Sequence, residues 1–230
     1  MNVKFGDIKS YDDWKLKLLD VKISFPAVKE KNIDIPGMDG VLDLSTLLTG
    51  DVQYQNRTVQ YTFDVQDNVR SWAAMISNIA NYLHGRNHKI IHDFDAGYYY
   101  EGRLSIDTTK SSQLLSRLVI TGDVDPYKYE INDGTEKWKW DPFSLRDGII
   151  REYGNIAING SGTVNIIGRR KRAIPTITCN EPMVLTYGKL TLNLPAGITK
   201  VYELQLGEGE HTLTFTGNGT VTISYRGGSL

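Results

Sequence analysis

Three histidines spaced four residues apart are the closest approach to a metal site in this sequence. His84, His88 and His92 would share one face of a continuous helix, and imidazole nitrogens arranged in that way bind zinc. Gly85, however, is the residue type that ends a helix, and the residues around Ile90 have the composition of a strand. We therefore expect the three side chains on different elements, with His84 compensating the dipole of a helix C-terminus. The sequence predicts no metal and no cofactor.

Two aspartates offer a second kind of chemistry. Asp93 and Asp95 flank Phe94, so in a strand both carboxylates would project from the same face, with Asp107 further along the chain. Paired carboxylates catalyse glycoside hydrolysis, and carboxylate oxygens also bind Ca²⁺. The alternative is a strand that ends in an aspartate-rich turn, and the following Gly97 favours it. The sequence contains no nucleophile elbow, phosphate loop or zincin motif, so we predict no catalytic residues and no enzymatic activity.

One basic run and two aromatic groups could bind a partner. Residues 169–172 (Arg-Arg-Lys-Arg) could contact phosphate or an acidic protein, but a solvated turn before a strand at Ala173–Thr178 is the favoured interpretation. Trp138 and Trp140, like the three tyrosines at 98–100, could stack on sugars. In a β-sandwich such aromatic residues more often pack at sheet edges or between domains, so the two tryptophans are retained only as candidate sugar contacts.

Composition limits the classes of function. The chain has 230 residues, of which 40% are hydrophobic and 23% charged, and its net charge is −1. These values fit one large or two modest globular domains and lack the positive charge that wraps nucleic acid. Cys179 is the single cysteine, so no intrachain disulfide can form. Because Met1–Ser10 is not apolar and no run approaches about 18 apolar residues, we expect synthesis in a reducing cytoplasm and no membrane insertion.

The first half of the chain combines strands with one helix. A stripe of apolar residues after Asp67 or Asn68 predicts a capped helix that runs to about His84 and ends at Gly85. Alternating apolar residues predict strands, and the slip in this alternation at Leu19-Asp20 indicates a turn. The predicted strands are Val3–Gly6, Trp14–Phe25, Val52–Val65, Lys89–Phe94, Tyr98–Ile106 and Leu114–Val124.

Residues 26–50 form a long segment without regular periodicity. Pro36-Gly37 fits the centre of a type II turn, Asp39-Gly40 is a second turn signal, and Asp43 or Ser45 could cap a short helical turn before Gly50. Apolar side chains are costly to leave in water, so we predict that this segment is an arm that clasps a neighbouring subunit. The predicted arm residues are Ile33, Ile35, Pro36, Gly37, Met38, Val41, Leu42 and Leu44, and Leu47 and Leu48 add to its apolar surface.

The second half has the pattern of an all-β domain. A composition shift after Asp125-Pro126 predicts domains at 1–132 and 133–230. Beyond this boundary, glycines recur between short runs rich in Val, Ile, Thr and Tyr, which favours a β-sandwich. The clearest predicted hairpin joins strands 212–216 and 220–225 through Gly217-Asn218-Gly219.

Seven stretches, in order, resemble the distal tail protein (Dit) family of siphophages. They cover about residues 5–130, and two more stretches extend a looser similarity to the C-terminus. The first set is Trp14–Leu16, Ile33–Leu44, Leu48–Gly50, Asn56-Arg57, Leu83–Gly85, Tyr99–Arg103 and Val124–Lys128; the second is Ile174–Ile177 and Val221–Leu230.

This resemblance implies a mainly β fold. The N-terminal domain would be a tail-tube-like β-sandwich with one α-helix and an extended arm, and the C-terminal domain a galectin-like β-sandwich. It also implies a homo-oligomeric ring of six in the virion, at the phage tail tip or baseplate. The ring would join the tail tube protein to the tail-associated spike protein, carry receptor-binding proteins, and let DNA pass through its channel without specific binding. Arg57 and Arg103, by motif position, become candidate structural or interface ion-pair residues.

Two other functions remain open from the sequence. The C-terminal domain could be a carbohydrate-binding adhesion module that recognises cell-wall polysaccharide, with Trp138 and Trp140 in contact with the sugar. A glycosidase would instead rely on Asp93 and Asp95.

Overall fold

The structure is a computed structural model that describes residues 1–65, 72–110, 116–135 and 152–230. These residues divide into two compact units. The first contains Met1–Asp95 and Tyr99–Lys128, with Leu230, and the second contains Ala96–Tyr98 and Tyr129–Ser229. The fold is mainly β, as the sequence predicts.

The first unit is built from antiparallel strands and the helix α1. The helix (Trp72–Leu83) lies between β6 and β7 in the chain. In the described residues, the main sheet has the order β2-β1-β7-β8-β9-β6-β3, and β4 pairs with β5 separately. The strands are β1 (Val3–Phe5), β2 (Ile8–Lys9), β3 (Leu16–Ile23), β4 (Asn32–Ile33), β5 (Leu42–Asp43), β6 (Arg57–Val65), β7 (Asn87–His92), β8 (Tyr98–Lys110) and β9 (Ser116–Val124).

The main sheet curls so that its distant strands face each other. Phe5 on β1 makes an edge-to-face contact with Tyr61 on β6 at a ring-centroid distance of 5.4 Å, although three strands separate β1 from β6 in the sheet. Phe63 lies 6.3 Å from the same phenylalanine. The inner face therefore encloses one core, to which β1, β3, β6, β7, β8, β9 and α1 all contribute buried apolar residues.

The helix ends where the sequence predicts. Ile79 and Leu83 are buried in the core, and Gly85 has a φ of 75°, a conformation that favours glycine just past a helix terminus. The predicted caps, Asp67 and Asn68, lie outside the described residues.

The predicted turn at Leu19-Asp20 is wrong. β3 continues through this position, and its register with β6 shifts between Leu18 and Asp20, which marks a β-bulge. A bulge inserts one residue and moves the following side chains to the other face, so it produces the same slip in alternation as a turn.

The second unit forms a sandwich around its own core. The described strands of its main sheet have the order β14-β13-β16-β12-β15, with β11 also paired to β16. A short pair joins β10 to β17. The strands are β10 (Lys128–Glu130), β11 (Ile156–Gly168), β12 (Thr176–Cys179), β13 (Met183–Tyr187), β14 (Leu190–Leu194), β15 (Gly197–Lys200), β16 (Gly209–Ser224) and β17 (Gly228–Ser229).

The predicted hairpin at Gly217–Gly219 is also wrong, because β16 runs straight through these residues. β11 stays in register with it from Gly168 opposite Gly209 to Ile156 opposite Val221. Gly217 and Gly219 have φ values of 146° and 147°, which L-residues rarely adopt. β13 pairs with the first half of β16 and β12 with the second half, so this one long strand joins both to the same sheet.

Among the described residues, the structure has no helix that is long and apolar enough to cross a membrane.

Candidate assembly surface

The arm predicted from the sequence is an extension of the β3–β6 pair. Beyond Ile23, the backbone N–H of Ser24 donates to the carbonyl of Thr58 at 3.0 Å. Further out, Gln55 donates to Ala27 and Lys29 donates to Gln53, each at 2.8 Å. These paired segments make the arm a two-stranded ribbon that leaves the edge of the main sheet, because β3 is the last strand in the sheet order.

The outer part of the ribbon contains β4 and β5. Asn32 lies opposite Asp43, and Ile33 lies opposite Leu42. At the tip, the N–H of Met38 donates to the carbonyl of Ile35 at 3.1 Å, and Gly37 has a φ of 86°. These features confirm the predicted type II turn at Pro36-Gly37.

A compact turn follows β5. Ser45 holds it to the ribbon, because its hydroxyl oxygen accepts the N–H of Lys31 at 2.8 Å. The Ser45 N–H donates to a carboxylate oxygen of Asp43, also at 2.8 Å. Hydrogen bonds from Ser45 lower the pKa of Asp43, which therefore remains an acceptor. The turn closes where the N–H of Gly50 donates to Thr46.

The arm exposes its apolar side chains in the single chain. Leu48 is 96% exposed and Leu47 70%, and most of the remaining apolar arm residues are between 40% and 49% exposed. This group comprises Ile33, Ile35, Met38, Val41 and Leu42, whereas Leu44 is half-buried. Exposed apolar side chains that are concentrated in one segment commonly mark an interaction site.

Phe25 is also exposed, although the sequence pattern assigns it to the end of a strand. Its ring is 81% exposed at the base of the ribbon, two residues after β3 ends. The following Pro26 is the signal that separates it from the strand, because proline removes a backbone donor from the ladder.

Arg57 lies inside the first unit. It is 3% exposed, its Nη2 donates to the carbonyl of Pro126, and its guanidinium lies 5.5 Å from the ring centre of Tyr100. Burial lowers the pKa of Arg57, and in the described part of the chain its Nε has no hydrogen-bond partner. Its contacts fit a residue that fastens β6 to the end of β9.

Arg103 lies at the surface of β8, beside the end of α1. Its Nη1 donates to the carbonyl of Gly85, so the cation sits at the negative end of the helix dipole. Arg103 also lines a groove of about 240 Å³ with Thr58, His84, Gly85, Leu104 and Asp123. The outer strands of this groove are β6 and β8, on either side of β9.

The three histidines have different hydrogen-bond partners. The Nδ1 of His84 accepts the N–H of Ile106 at 3.1 Å, and the Nε2 of His88 lies 3.0 Å from the carbonyl of Tyr82. His92 is buried, with its Nε2 2.7 Å from the hydroxyl of Tyr61. Burial lowers the pKa of His92 to about 4. In the described ranges, no three His, Cys, Asp or Glu side chains are arranged to hold a metal.

Asp93 and Asp95 do not project from one strand. β7 ends at His92, and both residues lie in a short 3-10 turn. Asp93 accepts the N–H of Asn2 at 2.8 Å, and Asp95 forms a 2.7 Å ion pair with Lys128. The favoured expectation, a strand that ends in an aspartate-rich turn, is therefore confirmed, and the alternative of two carboxylates on one strand face is wrong.

The basic run is only partly a solvated turn. The Nε of Arg169 lies 2.9 Å from a carboxylate oxygen of Glu130, and its Nη2 donates to the hydroxyl of Tyr98. Lys171 lies 4.1 Å from the ring centre of Tyr129. The two side chains therefore bind their own unit. Trp138 and Trp140 lie outside the described residues.

Among solved structures, a phage protein is similar to this chain over its full length. No family model matches the chain, and no curated protein matches it by sequence. The solved structure of the phage SPP1 Dit protein (gp 19.1) superposes with a TM-score of 0.63 at 12% sequence identity, over 100% of this chain and 99% of that chain. That protein is described as a paradigm of the hub adsorption apparatus in phages that infect Gram-positive bacteria. The Dit-like fold predicted from the sequence is confirmed.

Proposed function

We propose that this chain is a structural hub of a phage tail tip, working as a ring of six copies joined by their arms. The observation that carries the proposal is the arm, a hydrogen-bonded ribbon whose apolar side chains are uncovered in the single chain. Full-length superposition on a hub protein of a phage adsorption apparatus supports the same role.

The arm favours a head-to-tail ring over a symmetric dimer. An arm of one copy that covers a different surface on the next copy makes a heterologous contact, and such contacts close into a ring when the rotation permits. The predicted contact residues are Ile33, Ile35, Pro36, Gly37, Met38, Val41, Leu42 and Leu44. Burial of this set would supply the hydrophobic driving force of association.

Removal of the arm tests the proposal. Deletion of residues 30–44 should leave folded monomers, because the core of the first unit contains none of them. Light scattering after size exclusion, with negative-stain imaging at several concentrations, should show rings for the full chain only. A matched pair of point variants sharpens the result: Ile33→Ser with Leu42→Ser should weaken assembly, and Lys31→Ser should not. Rings formed by the deletion variant would refute the clasp.

The remaining parts of the hub role follow from the ring. Its channel would be continuous with the tail tube and would pass DNA without specific binding, in keeping with a net charge of −1. The ring would join the tail tube protein to the tail-associated spike protein and carry receptor-binding proteins, all in the virion. This work is geometric, so no enzymatic activity is required. Asp93→Asn should have no effect in an assay of cell-wall degradation, because that carboxylate holds Asn2.

A second candidate function concerns the C-terminal unit, which we propose to be galectin-like, with the domain limits 1–132 and 133–230. One row of threonines runs across four neighbouring strands of this unit, each opposite the next: Thr163, Thr214, Thr186 and Thr191. Their hydroxyl groups, on the face opposite the core, favour an adhesion module that binds neutral wall polysaccharide. A glycan array probed with the full chain and with Thr214→Lys would test it, and the absence of binding would leave the hub role alone.

A further inference from the structure

The proposed ring needs a surface that receives each arm, and the arm tip indicates its chemistry. Ile35 and Met38 are 40% and 43% exposed on either side of the turn. The carboxylates of Asp34 and Asp39, next to them in the sequence, are also exposed. Neither forms an ion pair with a residue in the described parts of the chain. The tip is therefore apolar and acidic. A surface complementary to it would be apolar, with a cation at its edge.

The groove beside Arg103 has this composition. Leu104, Gly85 and Gly122 contribute to its lining, and Arg103 and Asp123 stand opposite each other on neighbouring strands. These two charged residues form no ion pair in the described structure, since Arg103 turns to the carbonyl of Gly85. The exposed guanidinium keeps donors available for a carboxylate.

Thr58 places the groove at the foot of the arm. It lines the groove, and its carbonyl accepts the N–H of Ser24, where the ribbon begins. The ribbon is paired along its length, which holds its tip away from its own base. A tip can therefore reach this groove only on another copy of the chain.

The reach of the arm matches one subunit width. From Ser24 to Pro36 the ribbon spans at most about 40 Å when fully extended. A compact body of about 100 residues has a radius of gyration of about 13 Å, and hence a width of about 35 Å. The arm is thus long enough for its tip to reach the base of the adjacent subunit's arm, one subunit width away.

We infer that the groove beside Arg103 receives the arm tip of the adjacent subunit. Ile35 and Met38 cover its floor, and Arg103 pairs with the carboxylate of Asp34 or Asp39. This inference rests on the proposed ring, and it identifies the acceptor half of the contact.

A charge exchange in the full chain tests the pairing. Arg103→Glu alone, and Asp34→Lys with Asp39→Lys, should each raise the concentration needed for ring assembly at least about tenfold, because like charges then meet. The combined triple variant should restore assembly to near the wild-type concentration. Arg86→Glu changes an exposed cation beside the groove that does not line it, and it should leave assembly unchanged.

A cross-link provides an independent measurement. Cysteines at Met38 and Ser105, introduced together, should give an oxidised ladder from dimer up to a closed ring on a non-reducing gel. Each single variant should lack the ladder, since Cys179 is buried. Thermal melting of every variant checks folding, and the tip variants lie on the exposed arm, outside the core.

The outcomes separate this inference from the ring itself. Three outcomes would each overturn the groove assignment and leave the ring in place. Arg103→Glu could form rings at the wild-type concentration, or the triple variant could assemble no better than its parent variants. The third is a cysteine pair that forms rings without a cross-linked ladder. A wild-type chain that stays monomeric at every concentration would instead overturn the proposed function. The contact would be established if assembly weakens in both parent variants and recovers in the triple variant, and if the cysteine pair gives the cross-linked ladder.

Discussion

The hydroxyl oxygen of Tyr61 lies 2.7 Å from the Nε2 of His92, and both residues are buried in the first unit. His92 stacks on Phe94 at 4.8 Å and meets the ring of Tyr100 edge-on at 5.5 Å. In this surrounding the neutral imidazole is favoured. Burial lowers its pKa to about 4, an effect opposed by the charges of Asp95 and Asp93 and reinforced by Lys128.

The first prediction is a loss of stability in acid. The pKa of His92 is lower in the folded chain than the usual 6.5, so the unfolded state binds more protons between pH 6.5 and about 4. The contribution of this residue is complete above pH 6.5 and falls by about 3 kcal/mol as the pH drops through that window. Urea unfolding at a series of pH values measures it.

A matched pair of variants isolates the residue. His92→Gln preserves an acceptor for Tyr61 and does not titrate, so the fall in unfolding free energy between pH 6.5 and 4 should become shallower. His84→Gln, at an exposed histidine, should retain the full slope. An unchanged slope in His92→Gln would assign the acid sensitivity to other groups.

The second prediction concerns the close approach of β8 and β9 at Gly102. A Cβ there would lie 2.2 Å from the carbonyl oxygen of Asp123 and 2.4 Å from the Cα of Val124, and both are backbone atoms. Gly102→Ala should therefore cost about 3 kcal/mol or more of unfolding free energy, since the strands must separate. Gly97→Ala, which has open space around the new atom, is the control and should cost little. Comparable midpoints in denaturant would contradict this view of the strand pair.

Local signals in the sequence predict the elements whose causes are local. Gly85 ends α1, and Pro36-Gly37 forms its turn, because each rests on the φ preference of one or two residues. The exposure of the arm was predictable for a related reason. Residues 26–50 lack the period-two or helical spacing of elements that pack one face against the core. Its acceptor groove was not, because the lining residues come from β6, β8, β9 and the end of α1.

Signals that depend on partners led to errors. Gly217 and Gly219 look like a hairpin turn, yet β11 continues to pair with β16 across them, and Gly219 admits the close approach of Asn180. The basic run at 169–172 looks solvated, but the partner of Arg169 is Glu130, 39 residues away in sequence. Neither tertiary contact is visible from neighbouring residues in the sequence.

The third prediction tests that ion pair. Glu130 is 7% exposed, and its carboxylate lies 2.9 Å from the Nε of Arg169. Arg169→Met removes this cation from a nearly buried carboxylate and should destabilise the second unit by about 3 kcal/mol. The double variant with Glu130→Met should recover much of that loss, because the carboxylate that lost this ion pair is itself removed. Calorimetry of the full chain gives both values.

The control for this pair is an exposed one. Lys9 and Asp12 lie 3.4 Å apart with side chains 55% and 53% exposed. Asp12→Ala should change the unfolding free energy by less than about 0.5 kcal/mol, since water screens the charges. Equal losses of unfolding free energy in Arg169→Met and Asp12→Ala would mean that the buried pair contributes no more to stability than the exposed one.

The fourth prediction uses trypsin to report on the arm. Lys29 and Lys31 lie on the exposed ribbon, so in the monomeric chain trypsin should cut there sooner than in the described sheet strands. In a ring the same bonds would be covered by the neighbouring subunit, and the rate of cleavage should fall at least about tenfold as assembly proceeds. Mass spectrometry of early fragments at several protein concentrations measures the rate at each site. Lys200, on a strand of the second unit, serves as the internal reference.

Cleavage after Lys29 and Lys31 could instead stay equally fast in isolated rings and in monomers. That result would show that the arm remains free in the assembly, and the contact between subunits would then have to come from the body of the first unit.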